Sequence, residues 1–127
     1  MHQKMLLVDD HRRSLKNIAY FFRAHGFEVH EALNGNEAAQ LFEKIGFDLV
    51  VSDLCMPGFD GFRLLECARS INPNIPIVLM SGYRNIHVEQ IDKPGLTEFV
   101  EKPIDLEKLL SKVTQALQHQ EQNRICD

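Results

Sequence analysis

Residues 5–10 read Met-Leu-Leu-Val-Asp-Asp. A strand with one wet face alternates apolar and polar residues. A run apolar throughout, stopped by acid, suits a strand buried on both faces, as in a parallel sheet. Outward from this run the pattern changes period. Leu15, Ile18, Ala19 and Phe22 follow at helical spacing, and Gly26 stands where a helix C-cap belongs. Residues 27–32 alternate weakly and predict a second strand, nearer an edge. Asn34 and Asn36 are N-cap candidates for a helix carrying Ala38, Leu41, Phe42 and Ile45.

The alternation continues to the end of the chain. Asp48-Leu49-Val50-Val51-Ser52 predicts a third strand, ended by Asp53, and a loop with Pro57, Gly58 and Gly61 leads to a helix through Leu64, Leu65, Ala68 and Ile71. Asn72-Pro73-Asn74 breaks that helix. Ile77-Val78-Leu79-Met80 predicts a fourth strand ended by Ser81-Gly82. Residues 83–95 are the least regular part, with a short helical pattern at Ile86, Val88 and Ile91 cut off before Pro94-Gly95. Phe99-Val100 predicts a brief fifth strand closed by Lys102-Pro103. Leu106, Leu109, Leu110, Val113 and Leu117 make the cleanest helix, with Asp105 as its N-cap, and a polar tail expected to fray follows from His119. Strand–helix units in this order imply an α/β fold with a parallel sheet covered on both faces. The expected division is one domain over 1–120 and a polar tail over 121–127.

Composition narrows the function classes. The 127 residues are 44% hydrophobic and 25% charged with net charge −4, which is ordinary globular composition without the basic footprint of a nucleic-acid or anionic-membrane binder. No apolar run is long enough to span a bilayer. Cys55, Cys67 and Cys126 form no C-x-x-C pair, and the six histidines are scattered singly. A reducing, cytoplasmic setting is the expectation.

In open α/β sheets the ligand site lies beyond the carboxyl ends of the strands. There the sequence places Asp9 and Asp10, Asp53, Ser81 and Lys102, delivered by separate strands. Clustered carboxylates raise one another's pKa or recruit a cation, and oxygen-only ligands favour Mg²⁺. A metal, a lysine and a hydroxyl together suit a transferring phosphoryl group, and aspartate is a covalent phosphate acceptor. Taken singly, each residue reads as a turn, a cap or a surface charge; their coincidence at one rim favours chemistry.

On Leu-Val-Asp-Asp-His at 7–11, Asp-Leu-Cys-Met-Pro-Gly-Phe-Asp-Gly at 53–61, Met-Ser-Gly at 80–82 and Phe-Val-Glu-Lys-Pro at 99–103, the chain resembles response-regulator receiver domains of two-component signalling systems, from Lys4 to about Leu117. The resemblance implies a flavodoxin-like, doubly wound fold of five strand–helix units with strand order 2-1-3-4-5. It implies a signalling phosphoacceptor rather than an enzyme, taking a phosphoryl group onto Asp53 from a sensor histidine kinase or a phosphotransfer protein, and switching conformation toward a downstream protein. Neither nucleic acid nor membrane is an expected partner of this domain. Mg²⁺ is expected on Asp10, Asp53 and the backbone carbonyl of Cys55, with Asp9 acting through water. Lys102 and Ser81 are expected to bind the phosphoryl group and Phe99 to be the aromatic switch. Pro57, Gly61 and Pro103, the last after a cis bond, are expected to shape the loops. Cys55 and Tyr83 flank the path of a hydrolytic water and are expected to tune dephosphorylation.

Three departures stand out. Phe99 lacks the hydroxyl that many relatives carry as tyrosine, the interval from Ser81 to Lys102 is one residue short, and Pro94 falls in the last turn of the fourth helical pattern. The alternatives are weaker. A pseudo-receiver scaffold would have lost the acceptor, the acidic pair or the lysine. A haloacid-type phosphatase carries D-x-D where this chain has Asp53-Leu54-Cys55, and neither G-x-G-x-x-G nor a P-loop is present. The stretch after Leu117 is too short for a helix-turn-helix.

Overall fold

The computed structural model describes residues 2–56, 61–82 and 97–125. Its elements run β1 (Lys4–Val8), α1 (Arg12–Ala24), β2 (Glu28–Ala32), α2 (Gly35–Lys44), β3 (Leu49–Asp53), α3 (Gly61–Ile71), β4 (Ile77–Ser81), β5 (Thr97–Glu101) and α4 (Leu106–Ile125). The sheet has five parallel strands in the order β2-β1-β3-β4-β5, as the family resemblance implied.

Strand alternation divides the core between two faces. Leu6 and Val8 of β1 pack with Val50, Ile77, Leu79 and the apolar sides of α2 and α3. Met5 and Leu7 point the other way and pack with Val51, Val78, Met80, α1 and α4. This double cover is why β1, β3 and β4 read as largely apolar runs. It also leaves the carboxyl ends of those strands as the place where polar side chains gather.

Local chemistry fixes the element ends. Gly26 adopts φ 90°, the left-handed region that favours glycine, and lets the Phe27 amide turn back to the Phe22 carbonyl at 3.1 Å. Of the two cap candidates before α2, Asn34 is the one used. Its side chain accepts from the Glu37 amide at 2.8 Å, and the Glu37 carboxylate accepts from the Leu33 amide at 2.8 Å. Asp105 caps α4 through the amides of Glu107 and Lys108.

Three boundaries differ from the sequence reading. The fifth strand is longer than Phe99-Val100, because Thr97 is buried and bonded to Arg69 rather than left in a loop. α3 buries Arg69 in place of the expected Ile71, which is 52% exposed. The Arg69 guanidinium donates to the Ile75 carbonyl at 3.1 Å and to the Thr97 hydroxyl at 2.9 Å. α4 runs on to Ile125 where a frayed tail was expected, and the Gln120 amide donates to the Asn74 carbonyl at 3.0 Å. The short helix expected near Ile86–Ile91 lies outside the described residues. Among the described residues no helix is long and apolar enough to cross a membrane.

Candidate functional site

The ends of β1, β3, β4 and β5 meet at one rim. Asp9 follows β1, with its amide held by the Ala32 carbonyl of β2 at 3.1 Å. Its side chain is 1% exposed, and Oδ1 accepts from the His11 amide at 2.9 Å. Asp10, next along, is exposed. Asp53 is the last residue of β3 rather than the first of the loop, and it is 3% exposed. Carboxylate oxygens of Asp9, Asp10 and Asp53 lie within 4.8 Å of one another.

Lys102 enters from the end of β5. Its amide donates to the Ser81 carbonyl at 2.7 Å, and its Nζ reaches Asp53 Oδ2 at 2.8 Å. The Lys102–Pro103 bond is cis. The other oxygen, Oδ1, accepts a longer bond of 3.3 Å from the Cys55 amide, so the loop after β3 folds back on its own carboxylate. Ser81, the last residue of β4, is buried at the same rim. Phe99 is half-buried against the α2–α3 side of the core, and Cys55 is exposed. Pro57 and Tyr83 lie outside the described residues.

Gly61 opens α3 with its amide on the Leu54 carbonyl at 2.9 Å. A Cβ there would sit 2.8 Å from the Asp53 carbonyl oxygen and 2.8 Å from Leu54 Cα, so only glycine lets α3 start this close to the end of β3. The sequence reading missed Ser52 beside the site, whose buried hydroxyl donates to the Asp53 carbonyl at 2.9 Å, and, at the opposite end of the strands, Arg69, which ties α3 to β5. Ser52 interrupts an otherwise apolar run, and that was its only signal.

The electrostatics follow from burial and from the excess of acid. Burial raises the pKa of Asp9. The His11 amide opposes that rise, and the Asp53 charge reinforces it. Burial also works against the charge of Lys102, but the hydrogen bond and charge of Asp53, with help from Asp9 and Asp10, hold its pKa above the ordinary lysine value. Among the described residues three carboxylates thus face one ammonium. An oxygen-only donor set with surplus negative charge, open to solvent on the Asp10 side, fits a hard divalent cation.

This imbalance sets an expectation for stability. A carboxylic acid whose folded pKa is raised holds its proton more tightly when folded. It therefore favours the fold below the unfolded pKa and loses that contribution as pH rises through the folded value. Asp9→Asn keeps the acceptor for His11 and removes the charge. In chelator at neutral pH it is expected to gain about 1 kcal/mol, with the gain vanishing below the ordinary aspartate pKa. Denaturant melts at pH 7 and pH 3 check this, and an equal gain at both would contradict it.

Comparison with known proteins gives the family. The response regulator receiver domain model matches residues 5–114. The chain is 37% identical over 119 residues to the regulatory protein AtoC of Escherichia coli (strain K12), covering 92% of this chain and 26% of that protein. It is 31% identical over 119 residues to the sporulation initiation phosphotransferase F of Bacillus subtilis (strain 168), covering 92% of this chain and 95% of that one. Among solved structures, a response regulator receiver protein from Sinorhizobium medicae WSM419 matches with a TM-score of 0.83 at 30% identity, over 94% of this chain and 97% of that one. The chain spans about a quarter of the length of the first curated relatives it matches. On the matched family, the fold and the rim of acids with its lysine, the chain belongs to the response regulator receiver domain family, the signalling phosphoacceptors of two-component systems.

Proposed function

We propose that Asp53 is the phosphoacceptor of this receiver and that its donor is a phosphohistidine on a sensor histidine kinase or a phosphotransfer protein. The observation that carries the reading is the Asp53 carboxylate itself, buried, held by Lys102 at 2.8 Å and grouped with Asp9 and Asp10. A carboxylate oxygen of Asp53 attacks phosphorus and a P–O bond forms. The P–N bond to imidazole breaks, and its electron pair stays on the nitrogen. Lys102 meets the charge on the phosphoryl oxygens, and the Ser81 hydroxyl would join it. Asp10, Asp53 and the Cys55 carbonyl would hold Mg²⁺ directly, with Asp9 reaching it through water, and the ion would supply positive charge to the phosphoryl oxygens. Phe99, half-buried on β5, would report the change to a downstream protein. Residues 1–120 form the working unit, with a cytoplasmic setting.

The test is intact mass after incubation with a small phosphodonor and Mg²⁺. One added phosphate is expected, labile to base and hydroxylamine and prevented by chelator. A mass that does not change, or an adduct stable to hydroxylamine, would overturn the assignment.

The lifetime of the phosphorylated form is expected to be set in part by Cys55 and Tyr83. Neither is an acid or amide suited to orient the attacking water. Cys55→Asn combined with Tyr83→Glu should therefore shorten it on the order of tenfold. Decay measured after donor removal decides, and equal rates in the two proteins would remove these positions from the account.

A further inference from the structure

The peptide plane between Asp53 and Leu54 is held at both ends. The Leu54 amide donates to the Met80 carbonyl of β4 at 2.8 Å. The Asp53 carbonyl accepts at 2.9 Å from the hydroxyl of Ser52, a residue with 0% exposure. The pairing of β1 with β3 ends at Val8 opposite Ser52, while β4 pairs on to Asp53, so on the β1 side the acceptor lies one residue past the ladder. There a side chain provides what a neighbouring strand provides elsewhere. The next groups along the chain are tied to this plane. The Leu54 carbonyl accepts from Gly61, and the Cys55 amide returns to Asp53 Oδ1 through a bond already long at 3.3 Å. A hydroxyl is costly to bury in an apolar strand unless it is bonded, and this one spends its proton on the backbone of the acceptor residue.

We infer that Ser52 is a positioning residue for phosphoryl uptake: its Oγ–H fixes the carbonyl of Asp53, and through that peptide it aims the Cys55 backbone at the cation and at the acceptor carboxylate. The inference rests on the reading of Asp53, Asp10 and Cys55 as the Mg²⁺ site. Removing the hydroxyl frees one end of the plane. Gly61 packs against the same carbonyl oxygen and limits its displacement, but not a rotation of the plane. The longest restraint, from Cys55 to Oδ1, goes first, and the Cys55 carbonyl turns with it. Asp10, Lys102 and the core do not depend on the hydroxyl, so the loss falls on cation binding rather than on folding.

Calorimetric titration of Mg²⁺ into wild type, Ser52→Ala, Ser52→Cys and Ser52→Thr tests this, alongside amide exchange at Leu54 and Cys55 and uptake from a small phosphodonor. Ser52→Ala is expected to weaken Mg²⁺ binding about fivefold, the size one hydrogen bond carries. Exchange at Cys55 should speed up, and phosphoryl uptake at subsaturating Mg²⁺ should slow in proportion. Ser52→Thr keeps the donor and should restore wild-type affinity to within about twofold, with Ser52→Cys, a weak donor, in between. Unchanged Mg²⁺ affinity and unchanged exchange at Cys55 in Ser52→Ala would overturn the inference, even if its melting temperature fell. Should Ser52→Thr not accommodate its methyl group, the order of serine, cysteine and alanine decides alone. Wild type that neither binds Mg²⁺ nor takes up phosphate would instead overturn the reading of the site, and this inference with it.

Discussion

Asp53→Asn is expected to take up no phosphoryl group from a small phosphodonor and Mg²⁺, a fall of more than about a hundredfold from wild type. An asparagine amide has no anionic oxygen to attack phosphorus, yet it keeps the size of aspartate and an oxygen that can accept from Lys102 or Cys55. The fold should therefore survive, and the loss can be assigned to chemistry. The neighbouring acids do not replace it. Asp9 is buried, bonded through Oδ1 to the His11 amide, and resists ionisation because of its burial. Asp10 is exposed, and it is Asp53 that Lys102 holds at 2.8 Å. Intact mass before and after donor checks the result. Undiminished labelling of the variant would move the acceptor elsewhere.

Gly61→Ala carries the largest expected structural effect. The added methyl would meet two backbone atoms at 2.8 Å and Leu79 Cδ2 at 3.3 Å. A side chain can rotate away from such a contact, but the Asp53 carbonyl and Leu54 Cα cannot. Either α3 lifts from β3 or the end of β3 shifts. Overpacking of this kind costs about 1–3 kcal/mol, and the shift falls on the acceptor residue. A lower denaturation midpoint at unchanged slope is expected, together with slower phosphoryl uptake. Wild-type values for both would show that the helix start yields without cost.

How much of this was legible beforehand depended on the side chain concerned. Met5–Val8 and Ile77–Met80 could be placed because a strand covered on both faces must be apolar throughout, and the polar residues at their ends then had one place to go. Asp53, Lys102, Asp9 and Asp10 came together as their strand ends implied. Arg69 and Ile71 were exchanged because helical periodicity counts apolar residues. It does not register that an arginine near a helix end can be buried by a carbonyl and a threonine hydroxyl. Thr97 was missed as strand for the same reason, since its partner lies on another element. Ser52 passed as an ordinary strand residue because the bond that gives it meaning is made to a main-chain atom, which leaves no mark in composition or spacing.

Among the described residues β2 is paired on one side only, so its other side offers an open row of amides and carbonyls to any strand that comes near. Its sequence, Glu28-Val29-His30-Glu31-Ala32, guards that row with charge. The bond from His30 holds the Glu28 carboxyl below its usual range. Burial works against the Glu31 charge, but Lys16 and Arg23, at 3.0 and 2.9 Å, keep its pKa low; the Lys16 contact is an ion pair outside good hydrogen-bond angles. Both glutamates therefore stay ionised further into acid than free carboxylates. A strand docking along this edge would have to desolvate these ion pairs, so the paired charges work against edge-to-edge stacking of copies.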